Sequence, residues 1–149
     1  MKRFLILIML LGTFNFVSAG PVEKTDEEIV SQLFDDLNKA LLEKNKTWLE
    51  ENLLAETSMT DPGGDVMDHD RMISVFTGTI YQFEKIDPGK EKQIKIEDKK
   101  AMVNSDINVV GSAIMQSGEL ADISAQYNMR VNFVKTDSGW KILAVNVSR

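Results

Sequence analysis

Apolar residues recur along the chain in two rhythms, and the change between them near Thr79 separates a helical first part from a stranded second part. Ile29, Leu33, Leu37 and Leu41, joined by Val30, Phe34 and Leu42, fall on one face at helical spacing. Thr25-Asp26-Glu27-Glu28 in front of them is a capping box, with the Thr25 hydroxyl accepting from the Glu28 amide and the Glu28 carboxylate from the Thr25 amide. The pattern predicts a long amphipathic helix from this box to about Asn45. Thr47-Trp48-Leu49-Glu50 reads as a second capping box, opening a shorter helix to about Leu54. Asp61-Pro62-Gly63-Gly64 is a turn between two short segments, within Glu56 to Asp68, that could pair as a hairpin. Asp68 is expected to cap a third helix, with Met67 and Met72 forming a hydrophobic staple. That helix should bury Met72, Ile73 and Phe76 and stop at Gly78.

Beyond Thr79 the apolar period becomes two, punctuated by Asp87-Pro88-Gly89, Glu97-Asp98-Lys99-Lys100, Gln116-Ser117-Gly118 and Asp137-Ser138-Gly139. From Ala121 to Phe133 every second residue is apolar and those between are polar, as in a strand with one buried face. A three-residue loop at Asp137-Ser138-Gly139 would set Thr136 opposite Trp140, Phe133 opposite Leu143, Val131 opposite Val145 and Met129 opposite Val147. Matching apolar positions on the other side sets Val103 opposite Phe133, Ser105 opposite Val131, Ile107 opposite Met129 and Val109 opposite Tyr127. An Asp106–Arg130 cross-strand pair then follows. Helices first and a meander of strands afterwards predicts an α+β domain with three N-terminal helices packed on one face of a curved antiparallel sheet.

The first residues change the picture of where the chain works. Lys2 and Arg3, the apolar stretch Phe4 to Leu11 and a close on Val17-Ser18-Ala19 have the order of a secretory signal peptide, with cleavage expected between Ala19 and Gly20. The expected organisation is a signal over residues 1–19, a disordered lead-in over 20–24 and one domain over 25–149. The mature protein would be periplasmic or secreted. The chain has no cysteine, so the export route brings no disulfide, no lipid-bearing cysteine and no thiolate chemistry. Without Lys2 and Arg3 the 17 basic residues become 15 against 23 acidic ones, a net charge of −8. Such a chain is repelled by phosphate backbones and anionic lipid, and no basic cluster offsets this, so neither nucleic acid nor a membrane surface is an expected partner.

Three helices, a turn carrying Asp-Pro-Gly-Gly, and a sheet closing on Arg130-Val131-Asn132-Phe133-Val134 and Gly139-Trp140-Lys141-Ile142 resemble the nuclear transport factor 2-like superfamily, in particular its small exported bacterial branch of SnoaL-like and ketosteroid isomerase-like proteins. The resemblance covers residues 25–149. It implies a cone-like domain whose sheet wraps the long helix and leaves a cavity at its open end, and it implies dimerisation through the sheet in many members. It does not imply one activity, since isomerases, dehydratases, cyclases and binding subunits share the fold.

Enzymes of that superfamily carry a carboxylate or histidine in the cavity as general base, with a hydroxyl or acid opposite. The strand positions assigned to the helix-covered face are Val103, Ser105, Ile107, Val109, Tyr127, Met129, Val131, Val145 and Val147, and no ionisable base is among them. This favours a non-enzymatic module, either binding a small apolar or amphipathic ligand or serving in interaction, with Trp48, Ser105, Tyr127 and Met129 as candidate ligand contacts and no cofactor or metal. The alternative is a cofactor-independent isomerase, dehydratase or hydrolase with Asp61 as base and Tyr127 or His69 as acid. His69 is the chain's single histidine and lacks the companion ligands of a zinc site. A homodimer is expected through the outer sheet face, seated on Trp140, Ile142 and Val134 beside Arg130.

Overall fold

The computed structural model describes residues 20–149; the expected signal segment and its cleavage site lie outside the described residues. Helix α1 (Asp26–Glu43) starts from the capping box, with both reciprocal Thr25–Glu28 bonds formed, and ends at Lys44 in the left-handed region. It buries Val30, Phe34, Leu37, Ala40 and Leu41, each large side chain contributing about 1.5–3 kcal/mol by leaving water. Helix α2 (Lys46–Asn52) begins earlier than the Thr47 box predicts. Its cap is Asn45, whose side chain accepts from the Trp48 amide, because the left-handed turn at Lys44 leaves only Lys44 and Asn45 between the helices.

Strands β1 (Leu53–Thr60) and β2 (Val66–Asp68) form the expected hairpin across the Asp61 turn. Helix α3 (His69–Thr77) is capped by Asp68, which accepts from the Arg71 amide, and buries Met72, Ile73 and Phe76. Met67 and Met72 are both buried, as the staple requires. The sheet continues through β3 (Tyr81–Pro88), β4 (Gln93–Glu97), β5 (Lys100–Ile114), β6 (Leu120–Asp122), β7 (Ala125–Thr136) and β8 (Gly139–Ser148). Its order is β2-β1-β8-β7-β5-β3. The long β5 carries β4 and β3 in succession along one edge, and β7 and β6 along the other.

The meander is interrupted in one place: β1 runs parallel to β8, while the other pairings of the described residues are antiparallel. The β1–β8 ladder slips between Leu53 and Ser58, and there the buried Thr57 hydroxyl donates to the Ile142 carbonyl at 2.7 Å. The expected single strand from Ala121 to Phe133 is also divided. Asp122 accepts from the Ser124 amide at 2.8 Å, and Ser124 Oγ accepts from the Gly111 amide at 3.1 Å, so the chain kinks between β6 and β7.

Two registers differ from expectation. Across β5 and β7, Val103 faces Val131, Ser105 faces Met129, Ile107 faces Tyr127 and Val109 faces Ala125. The shift is two residues, which keeps each inward side chain inward. It is set by the tight turn after β5, where the Gly118 amide donates to the Met115 carbonyl at 2.8 Å with Gly118 at φ 83°. Asp106 therefore faces Asn128 instead of Arg130, and its carboxylate accepts from Gln126 and Asn128, both at 3.0 Å. Arg130 lies between Asn104 and Asn146.

Across β7 and β8, Thr136 faces Gly139 and Lys135 faces Trp140, around a loop one residue shorter than expected. A bulge at Leu143 then restores the expected pairing, with Val131 opposite Val145 and Met129 opposite Val147. The bulge reverses the facing of everything between it and the loop. Trp140 and Ile142, expected outside as a dimer anchor, are 4% and 0% exposed in the core. Val134 and Arg130 stay on the outer face, Val134 half-buried and Arg130 exposed.

Trp140 is fastened to the start of α1. Its Nε1 donates to Asp26 Oδ1 at 2.8 Å, and the Lys135 ammonium reaches both Asp26 oxygens at 2.9 Å while lying 5.6 Å from the indole centroid. The Trp140 bond first, and then Lys135, hold the Asp26 carboxyl below its ordinary range. A carboxylate with a depressed folded value stabilises the fold above its unfolded value near pH 4, and that contribution disappears as pH falls through the lower folded value. Asp26→Asn should therefore melt below wild type at about pH 6, and the gap should close towards about pH 2. Thermal melts of both proteins across that range check it; a gap that persists in acid contradicts the assignment.

Candidate functional site

At the end of the sheet away from Trp140, the helices and strands enclose a cavity of about 440 Å³. Asn38 and Leu41 of α1, the Asp61-Pro62-Gly63 turn and Phe76 of α3 form one side. β3 contributes Tyr81, Phe83 and Ile86, β5 contributes Ile107, Val109 and Ala113, β7 contributes Tyr127 and Met129, and Val147 and Arg149 close the end of β8. Most of this lining is apolar, and the size suits a small organic molecule.

One wall is aromatic. The rings of Phe76, Tyr81 and Phe83 are within 11° of parallel, with centroids 5.0, 5.5 and 6.1 Å apart. All three pairs are therefore offset-stacked, and the rings form one compact cluster. Burial, followed by the nearby charge of Asp61, pushes the Tyr81 hydroxyl above its usual value, so it is a neutral phenol at physiological pH.

The polar groups are few and mostly engaged. Asp61 Oδ1 accepts from the Gly63 and Asp65 amides, both at 2.9 Å, which is the internal bonding of the turn. The Tyr127 hydroxyl donates to the Ile123 carbonyl at 2.7 Å, and the Arg149 guanidinium lies 3.4 Å from that oxygen and 5.4 Å from the ring centroid. Asn38 is 1% exposed; its Nδ2 donates to the Phe34 carbonyl at 2.8 Å, and its Oδ1 has no partner.

Of the residues singled out in the sequence, Asp61, Tyr127 and Met129 border this one cavity. Trp48, Ser105 and His69 are not part of its lining. Trp48 packs against the core from α2, and the Ser105 hydroxyl, buried under the Gly89 loop, donates to the Glu91 carbonyl at 3.0 Å. His69 begins α3 with Nδ1 2.8 Å from Asp70 Oδ1. The sequence reading passed over Asn38, Tyr81 and Arg149. Asn38 was detectable as a polar residue one turn after Phe34 and one before Leu41, inside the apolar stripe of α1. Arg149 continues the inward alternation of Val145 and Val147.

No family model matches the chain, and no curated protein matches it in sequence. Solved structures do. An NTF2-like protein from Cytophaga hutchinsonii superposes with a TM-score of 0.75 at 15% identity, over 84% of this chain and 98% of the other. A proposed dehydratase of the NTF2-like family from Streptomyces avermitilis gives 0.66 at 17% identity, over 83% and 95%. A proposed ketosteroid isomerase from Shewanella frigidimarina gives 0.59 at 22% identity, over 83% and 95%. The helices, the curved sheet around α1 and the cavity at its open end, taken with these superpositions, give this chain the fold of the nuclear transport factor 2-like proteins.

Proposed function

We propose that this domain is an exported binding module that takes up a small, largely apolar molecule in the cavity without transforming it. The observation that carries this reading is the lining: a cavity of about 440 Å³ walled by aliphatic and aromatic side chains, whose one carboxylate, Asp61, spends an oxygen on its own turn. The neutral fluorophore N-phenyl-1-naphthylamine should bind saturably at one site per chain. Val147→Trp, which fills the cavity near its Arg149 end, should abolish that binding while leaving the thermal transition in place. Equal binding by the variant would place the fluorophore elsewhere and overturn the reading.

A second reading has one observation in its favour: Asp61 and Tyr127 border the same cavity, as a base and a hydroxyl partner would. The fold is shared with a proposed dehydratase and a proposed ketosteroid isomerase. On this reading Asp61 removes a proton next to a carbonyl. The expected result is accelerated exchange of the α-protons of 2-decalone in D2O by wild type, reduced by about a hundredfold or more in Asp61→Asn. Exchange at the same rate with and without wild-type protein rejects it.

A further inference from the structure

The cavity carries two charged side chains, and they are used differently. Among the described residues its lining holds one carboxylate, Asp61, and one cation, Arg149. Asp61 Oδ1 is bonded within its own turn. The Arg149 guanidinium lies 5.4 Å from the Tyr127 ring centroid and 3.4 Å from the Tyr127 oxygen. Because the Tyr127 hydroxyl gives its proton to the Ile123 carbonyl at 2.7 Å, it presents a lone pair towards Arg149. Ring and oxygen together hold the guanidinium beside the cavity and occupy only one of its N–H groups. Among the described residues no aspartate or glutamate forms an ion pair with it. Arg149 is exposed, so its remaining donors are accessible to a ligand. A guanidinium is a planar fork that matches the two oxygens of a carboxylate, and such charge-assisted bonds are roughly twice as strong as neutral ones.

Resting on the reading of the cavity as a binding site, we infer that its ligand is an amphipathic monocarboxylate, with the carboxylate on the Arg149 guanidinium and the hydrocarbon in the apolar interior. Ile107, Val109, Met129 and Val147 offer that hydrocarbon a surface on which to leave water. One cation balances one negative charge, and Asp61 in the same lining disfavours a second. The site then discriminates by charge: it prefers a carboxylate to the corresponding amide, because the neutral head group forgoes the charge-assisted pair.

Octanoate and octanamide test the discrimination, since they share a chain and a head-group shape and differ in charge. Displacement of N-phenyl-1-naphthylamine, with the affinity of the fluorophore measured separately for each protein, reads both compounds at the cavity. At about pH 7.5, where octanoate is ionised, wild type should bind it at least about tenfold more tightly than octanamide. In Arg149→Gln, a change to an exposed side chain that should leave the thermal transition in place, the ratio should fall to near one through loss of octanoate affinity. A wild-type ratio near one, or displacement by neither compound, overturns the inference while leaving the cavity as a binding site. Failure of the fluorophore itself to bind overturns the reading beneath and the inference with it. The wild-type ratio decides even where the variant does not fold, and a variant that folds and keeps the tenfold preference overturns the assignment to Arg149.

Discussion

Trp140→Glu should abolish cooperative unfolding and most of the helical circular dichroism of the domain. Trp140 is 4% exposed, and its indole nitrogen joins the last hairpin to the first turn of α1 through Asp26. The substitution removes one of the largest buried side chains, which alone costs about 3–5 kcal/mol. It also puts a second carboxylate beside Asp26, with Lys135 the neighbouring cation already bound to it. A domain of this size has about 5–15 kcal/mol of stability in total, so the sum is decisive. Trp140→Phe keeps the packing and loses the hydrogen bond, and should remain folded at a lower melting temperature. A folded Trp140→Glu protein with the wild-type melt would return Trp140 to the outer face and make it available to a dimer interface.

Gly111→Ala should weaken both the fold and the cavity, with the larger fractional loss in binding. A methyl group at Gly111 would stand 2.5 Å from the Gln82 carbonyl oxygen and 3.1 Å from Phe83 Cα, both backbone atoms of β3. Gly111 faces Phe83 where the β3–β5 register slips past Glu84, and its carbonyl accepts from the Ile123 amide on the opposite side. It cannot retreat, so β3 must move, and β3 carries Tyr81 and Phe83, two of the three rings of the aromatic wall. Overpacking of this kind costs about 1–3 kcal/mol. Thermal melts should show that loss, and N-phenyl-1-naphthylamine titration well below the transition should show affinity reduced by about tenfold or more, the equivalent of displacing one contact wall. Unchanged affinity in a destabilised variant would mean that the wall formed by β3 does not touch the bound molecule.

The parts of the fold that were legible in the sequence rest on contacts between residues a few positions apart. The Thr25–Glu28 box, the Asp68 cap with its Met67–Met72 staple, the stop at Gly78 and the Asp61 turn each form within a handful of residues. Their chemistry is complete before the rest of the chain is placed. Where two local signals competed, the tertiary setting chose. Asn45 and Thr47 are both capable caps for α2, and the left-handed turn at Lys44 selects the first.

Which side chains face inward along β5 and β7 was equally legible, because alternation with period two assigns the buried set. The absolute register was not, since a slip of two residues conserves that set. It was decided by the turn at Gly118, and the Asp106–Arg130 pair was lost with it. The facing of Trp140 and Ile142 depended on a single extra residue, Leu143, that alternation cannot reveal. The candidate site divides in the same way. Asp61, Tyr127 and Met129 could be named from turn chemistry and strand parity, and Asn38 stood out only as a polar residue in an apolar stripe. That Asn38 Oδ1 is unpaired, and that the three rings lie parallel beside the same cavity, follows from how α1, α3 and β3 meet. Sequence by itself determined the helices, the turn at Asp61 and the inward-facing set of β5 and β7, which are local or periodic properties. Register, bulge and cavity were decided by the tertiary structure, because they depend on long-range contacts that a periodic pattern satisfies in more than one way.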